Sequence, residues 1–294
     1  MLYAITGNKG LIGTFLKERL NKEGHRCVLA IDRREGFDIN DLLLKEYELT
    51  ETPNVFLHFA AQCRINEAIA KPILPHRNNV DGILSVLEFC RKNKIQKVVV
   101  ASTSRILSPE RNPYVASKIY CEELTKAYHD CYDLEYLIIR PSTVYGPYYD
   151  ETSRLINNFL VSAFKNEDLR IYGSMFKTLD FTYIDDFVDG VMLVMNNDWN
   201  KTYNISGDKE VNINDLAKEI RNKVRSKSKI MFYQPEIAQP QQIKIDISEI
   251  KKLDYKPKVD IHEGIDRMIK FYKENPTAWQ NYEDRGREFY KNGK

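Results

Sequence analysis

The chain has 294 residues, of which 43% are hydrophobic and 29% charged, a balance that fits a folded globular protein of one or two domains. Its formal net charge of +2 supplies no field for nucleic acid or an anionic membrane surface. No apolar run approaches the ~18 residues of a membrane span, and a first strand starting at Leu2 leaves no room for a signal peptide.

Strand-like Leu2-Tyr3-Ala4-Ile5 leads into Thr6-Gly7-Asn8-Lys9-Gly10-Leu11-Ile12-Gly13, and a helix is expected over 12–22. Glycines at a strand-to-helix turn suit a dinucleotide. Gly7 allows the tight turn, Gly10 lets backbone approach a pyrophosphate, and Gly13 lets the helix pack closely on the strand. The helix N-terminus then offers N–H groups to phosphate. A second strand, 27–31, runs into Asp32, nineteen residues beyond Gly13. A carboxylate there accepts from ribose hydroxyls and repels a 2′-phosphate, which favours NAD over NADP. Arg33 and Arg34 beside it are the competing feature, since an arginine can hold a 2′-phosphate.

Further strands are expected at 55–60, 97–101 and 135–140, and helices at 65–70, 79–92 and 114–130. The run Lys97-Val98-Val99-Val100-Ala101 predicts burial on both sheet faces. This alternation predicts an α/β fold, a Rossmann-type doubly wound parallel sheet. After Pro141 the pattern loosens, with helices near 153–165, 185–197, 212–225 and 261–274 and a polar tail over 275–294 read as a loosely docked helix. The expected division is a cofactor-binding domain of 1–144 and about 178–205, and a smaller substrate-binding lobe of about 145–177 and 206–294. The five cysteines, Cys27, Cys63, Cys90, Cys121 and Cys131, lack C-x-x-C spacing and read as buried free thiols of a cytoplasmic protein. No metal-ligand set is assigned.

Tyr114 and Lys118 stand four residues apart on a predicted helix, so they share a face. An ammonium near a phenol favours the phenolate and makes the tyrosine a usable acid or base. Ser102, Thr103 and Ser104 follow the strand 97–101 at its carboxyl end, where ligands bind in open α/β sheets. One of these hydroxyls is expected to meet the reacting oxygen, and the others to serve the turn.

Taken in order, the chain resembles the extended short-chain dehydrogenase/reductases, the NAD-dependent epimerase/dehydratase group that acts on nucleotide-activated sugars. The matching segments include Thr6–Gly13, Asp32, Asp38-Ile39, His58-Phe59-Ala60-Ala61, Asn79-Val80, Ser102–Ser104, Tyr114–Lys118 and Arg140–Pro147. They continue through Tyr172-Gly173, Asp180–Asp186, Tyr203-Asn204-Ile205 and Leu253–Pro257. The resemblance implies Tyr114 as general acid/base, Lys118 as the residue that tunes it and holds the nicotinamide ribose, and Ser104 as hydroxyl partner, with Thr103 as the alternative. It implies NAD contacts from Gly7, Gly10, Leu11, Ile12, Gly13, Asp32, Arg33, Asp38, Ile39, Phe59, Ala60, Ala61, Asn79, Tyr114, Lys118 and Pro141. Substrate contacts are expected from Ser104, Thr143 and Lys177, and assembly as a homodimer through helices 79–92 and 114–130.

The departures bear on the reaction. Sugar 4,6-dehydratases of the group follow the catalytic hydroxyl with an acidic pair, whereas Arg105-Ile106 follows Ser104 here. Arginines often stand where Leu179 stands and near Glu236–Gln241, a stretch that holds Gln239 and Gln241 instead. The expectation is therefore an NAD-dependent 4-epimerase of a nucleotide sugar, with Lys177 partly replacing the missing guanidinium forks. A nucleotide-sugar dehydrogenase or reductase and a 4,6-dehydratase are the alternatives within enzymes. An NAD-binding regulator without turnover is the alternative outside them.

Overall fold

A computed structural model describes residues 1–45, 47, 49–149, 154–240 and 242–280. Gln241 and most of the expected tail helix therefore lie outside the described residues. The strands are β1 (Leu2–Thr6), β2 (Arg26–Ile31), β3 (Val55–His58), β4 (Lys97–Ala101), β5 (Glu135–Pro141), β6 (Thr143–Tyr145), β7 (Leu169–Tyr172), β8 (Thr178–Tyr183), β9 (Lys201–Ile205), β10 (Glu210–Asn212) and β11 (Ile230–Tyr233).

Six strands form a parallel sheet in the order β2-β1-β3-β4-β5-β9. Successive residues point to opposite faces. Tyr3, Ile5, Leu57, Val99, Leu137 and Ile139 enter one core, while Ala4, Phe56, Val98 and Val100 enter another. Helices Leu11–Lys22 and Ile184–Met195 supply the first core, and Gly82–Lys92 and Pro113–Tyr132 the second. Burial on both faces explains the continuous apolar strands. The chain leaves β1 for β2 on one side and returns through β3 on the other. The crevice at that reversal, beyond the carboxyl ends of β1 and β3, is where such sheets bind ligands.

The helix Pro113–Tyr132 has a local explanation at both ends. Asn112 caps it by accepting the Val115 N–H at 3.0 Å, Pro113 occupies the first turn, and Asp133 ends it in a left-handed conformation at φ 56°. The expected helix over 79–92 is regular from Gly82 to Lys92 and preceded by a π-helical turn over His76–Asp81. Its apolar residues Ile83, Leu87 and Phe89 are buried in the chain's own core.

The second half holds two small sheets, β10-β8-β6 and β11-β7. The segment 178–183, assigned with the cofactor-binding domain, pairs with Thr143–Tyr145 and Glu210–Asn212 in the first of these. The helix Ile184–Met195 and β9 then return to the large sheet. These short strands carry no periodicity long enough to read from sequence. Two cysteines differ from expectation, because Cys63 and Cys131 are exposed, one in a loop and one at the outward end of a helix. Among the described residues no helix is long and apolar enough to cross a membrane.

Candidate active site

The glycine turn follows β1 directly. Gly7 has φ +76°, a conformation side chains rarely adopt, and a Cβ there would lie 2.8 Å from the Ala60 backbone nitrogen. At Gly13 an added Cβ would fall 2.1 Å from the Gly7 carbonyl oxygen, so the helix meets the turn at a distance that no side chain permits. Gly10 stands at the N-cap of Leu11–Lys22 without a side-chain cap, which leaves first-turn N–H groups for a ligand. Asp32 lies just past β2, where its oxygens accept the Lys9 N–H at 2.9 Å and the Arg34 N–H at 3.0 Å. It thereby ties the turn to the end of the second strand and keeps lone pairs for a ribose. Arg33 donates to Asn78 Oδ1 at 3.4 Å. Asp38 accepts the Asn40 N–H at 3.0 Å, and Ile39 is buried against Gly82.

Thr6 Oγ1 joins β1 to β3 through His58 Nδ1 at 2.8 Å and accepts the Ala60 N–H at 3.2 Å. His58 is buried, and desolvation lowers its pKa to about 3, so it is neutral at physiological pH. Asn79, in the π-helical turn, accepts the Gln62 N–H at 2.8 Å and donates to Ser117 Oγ at 2.8 Å. It pins the loop after β3 to the helix that carries Tyr114 and Lys118.

A cavity of about 400 Å³ opens beside these elements, within the usual range for small-molecule sites. Phe59, Ala61, Ser102, Thr103, Tyr114, Lys118, Pro141, Thr143 and Lys177 all line it, as does Ile12. Ser104 does not. It starts the turn Ser104–Leu107, whereas Thr103, one residue earlier, shares the cavity wall with Tyr114. Tyr114 itself is 7% exposed, and burial raises its pKa against the opposing influence of Thr103 and Arg105. Lys118 is aimed elsewhere: its Nζ donates to the Ala101 carbonyl at 2.7 Å, and burial lowers its pKa. A second cation of this wall is Arg105, two residues beyond Thr103. Helical spacing put Lys118 on the right face, but the carbonyl at the end of β4 captures its tip.

Sequence reading missed most of the cavity's charge. Arg64, Arg105, Arg154 and Arg170 join Lys118 and Lys177 in the wall, against Glu67 and Glu236. Lys177 is 8% exposed, donates to the Tyr172 carbonyl at 3.0 Å and lies 3.8 Å from Glu236. Arg170 Nε is buried without a hydrogen-bond partner. The wall thus carries arginines from elements other than those of Leu179 and Gln239. No local motif announces them, because strands, helices and loops far apart in sequence converge here.

Residues 3–206 match the NAD dependent epimerase/dehydratase family. The chain belongs to that family. A UDP-glucuronate 4-epimerase of Thermodesulfobacterium geofontis is 27% identical, the match covering 93% of this chain and 96% of that protein. The crystal structure of a UDP-glucose 4-epimerase from Thermotoga maritima with UDP-glucose superposes with a TM-score of 0.87 at 21% identity, covering 94% and 100% of the two chains. A dTDP-glucose 4,6-dehydratase from Streptomyces venezuelae, solved with NAD, gives the same TM-score of 0.87 at 23% identity, covering 96% and 99%. The α/β fold with its parallel Rossmann-type sheet is that of the family, and the family's cofactor is NAD.

The residues present fit NAD. The uncapped helix N-terminus and the Cβ-free approach at Gly13 suit a pyrophosphate. Buried polar atoms without partners are Asn8 Oδ1 on the glycine turn, Asn78 Nδ2 in the π-helical turn His76–Asp81 and Ser102 Oγ just past β4. Tyr148 was not anticipated. Its hydroxyl, from the segment after β6, hydrogen-bonds the Lys9 carbonyl and closes over the turn.

Proposed function

We propose that this family member is a 4-epimerase of a nucleotide-activated sugar, with Tyr114 as its acid/base and Thr103 as the hydroxyl partner. The observation that carries this reading is the surroundings of Tyr114. Among the described residues the carboxylates of the cavity wall are Glu67 and Glu236, and both are engaged, Glu67 by Gln62 Nε2 at 2.5 Å and Glu236 by Asn66 Nδ2 at 2.9 Å, while Arg105-Ile106 stands where a dehydratase carries its acids. Elimination of water from a sugar needs a further acid and base at the neighbouring carbons. Epimerisation needs one proton-transfer group and room for the sugar to turn.

NAD, when bound, supplies the hydride acceptor and donor. Tyr114 takes the C4 hydroxyl proton and returns it once the sugar presents its other face. Thr103 orients the phenol and the reacting oxygen. Lys118, fixed to the end of β4, stands ready for the ribose beside it. Asp32 takes the adenosine ribose hydroxyls, and the glycine turn with the Leu11–Lys22 N-terminus takes the pyrophosphate. Pro141 and Thr143 border the sugar, and Arg170 and Lys177 meet the substrate diphosphate.

The test is incubation with nucleotide sugars and no added cofactor, followed by NMR. A C4 epimer approaching equilibrium without net cofactor change is expected. Stoichiometric oxidation would make the protein a dehydrogenase, loss of water would make it a dehydratase, and binding without turnover would make it a regulator.

A further inference from the structure

Arg105 is a cation at the reacting end of the cavity to which the reaction above assigns no task. It stands two residues beyond Thr103, in the turn Ser104–Leu107, and lines the cavity wall. Among the described residues its guanidinium makes no hydrogen bond and no ion pair. The ionisable groups around it are Tyr114, Glu236 and Asp180. Both carboxylates are engaged elsewhere. Glu236 accepts from Asn66 Nδ2 at 2.9 Å and faces Lys177 at 3.8 Å. Asp180 accepts the Ile245 N–H at 3.1 Å.

Removal from water disfavours the charge on Arg105, yet a guanidinium does not give up its proton in a protein. Arg105 is half-buried, and a cation partly withdrawn from water without a partner favours an anion that comes to it. The diphosphate has other cations, Arg170 on β7 and Lys177 after it. Arg105 instead lines the cavity together with Thr103 and Tyr114. In a hexuronate the carboxylate carbon is attached to C5, next to the C4 whose hydroxyl Tyr114 would serve. A guanidinium fork in the wall that also carries Thr103 and Tyr114 suits such a carboxylate in a two-point contact.

We propose that Arg105 is a specificity residue that binds the sugar's carboxylate, so that the substrate is a nucleotide-linked uronic acid rather than a neutral hexose. This rests on the nucleotide-sugar reading of the same cavity.

The test uses the NAD-loaded enzyme carrying Tyr114→Phe, so that no sugar is consumed. Calorimetry compares UDP-glucuronate with UDP-glucose, and the dTDP-linked pair likewise. The uronate is expected to bind at least ~10-fold more tightly than its neutral partner, the scale of one charge-assisted contact. Adding Arg105→Met should erase that preference and Arg105→Lys should restore part of it, with retained NAD binding showing that the fold is intact. Equal or tighter binding of the neutral sugar, or a preference unchanged in Arg105→Met, overturns the proposal, and so does binding of none of the four. An Arg105-dependent preference in a protein whose wild type interconverts no C4 epimers upholds this inference while the epimerase reading falls.

Discussion

Tyr114 is a buried phenol whose surroundings oppose ionisation, so it enters the reaction as a hydrogen-bonded hydroxyl rather than a standing phenolate. Tyr114→Phe is expected to leave NAD binding nearly intact and to lower turnover by about 10²–10⁴, the range for a positioned acid/base. Full activity in that variant would remove the catalytic assignment. The neighbouring hydroxyls can be told apart by the same assay. Thr103→Val should lose at least ~10-fold in kcat because it removes the Tyr114 partner, while Ser104→Ala should lose less. The reverse order would return the role to Ser104. Asp180 offers a separate test through pH. Burial raises its pKa from 3.8 to about 6. A carboxyl with a raised folded-state pKa contributes stability below its unfolded pKa, and that contribution is lost as pH rises through 6. Asp180→Asn keeps an acceptor for the Ile245 N–H and has no proton to lose. Its melting temperature relative to wild type should therefore improve between pH 4 and pH 7.5. A constant difference across that interval would show that Asp180 is not held protonated.

At the level of elements, the helix Pro113–Tyr132 positions the chemistry and is itself held by a charged pair. Arg140 Nε donates to Glu122 Oε1 at 2.8 Å and its Nη2 to Oε2 at 2.5 Å, joining helix to β5 in a two-point contact. Glu122 is 2% exposed. Truncating one member of such a pair leaves the other uncompensated, and Glu122→Ala is expected to cost about 3 kcal/mol, the lower end for buried pairs because Arg140 retains some solvent. Urea unfolding would measure it, and a loss below ~1 kcal/mol would mean the helix is held by its apolar face alone. The π-helical turn His76–Asp81 belongs to the same device, because it places Asn79 between the loop after β3 and Ser117. Such turns are frequent at functional sites.

At the level of the molecule, much of the apolar surface that suggested a two-helix interface is spent within the chain. Ile83, Leu87 and Phe89 face the sheet. What remains outward on the two helices includes Tyr120, 42% exposed, and the partly exposed Leu84 and Leu124. We propose a two-fold homodimer through these faces. Light scattering at micromolar concentration is expected to give twice the chain's 34.4 kDa, and Tyr120→Glu should shift the mass toward one chain. A monomeric mass for the wild type would refute the interface.

The parallel sheet, the glycine turn with Asp32 behind it, and the helix with Tyr114 and Lys118 on one face are all legible along the chain. Each of these is written locally, in a run of apolar residues, a turn that tolerates no Cβ, or a spacing of four residues. Tertiary structure decided what local pattern cannot carry. It sent 178–183 into a small sheet through pairing with strands of three residues, too short to show a period. It turned Lys118 to a carbonyl, put Thr103 rather than Ser104 in the cavity wall, and gathered Arg64, Arg105, Arg154 and Arg170 from separate elements into that wall. Side-chain direction and the convergence of distant charges depend on how elements pack in space, which spacing along the chain does not encode.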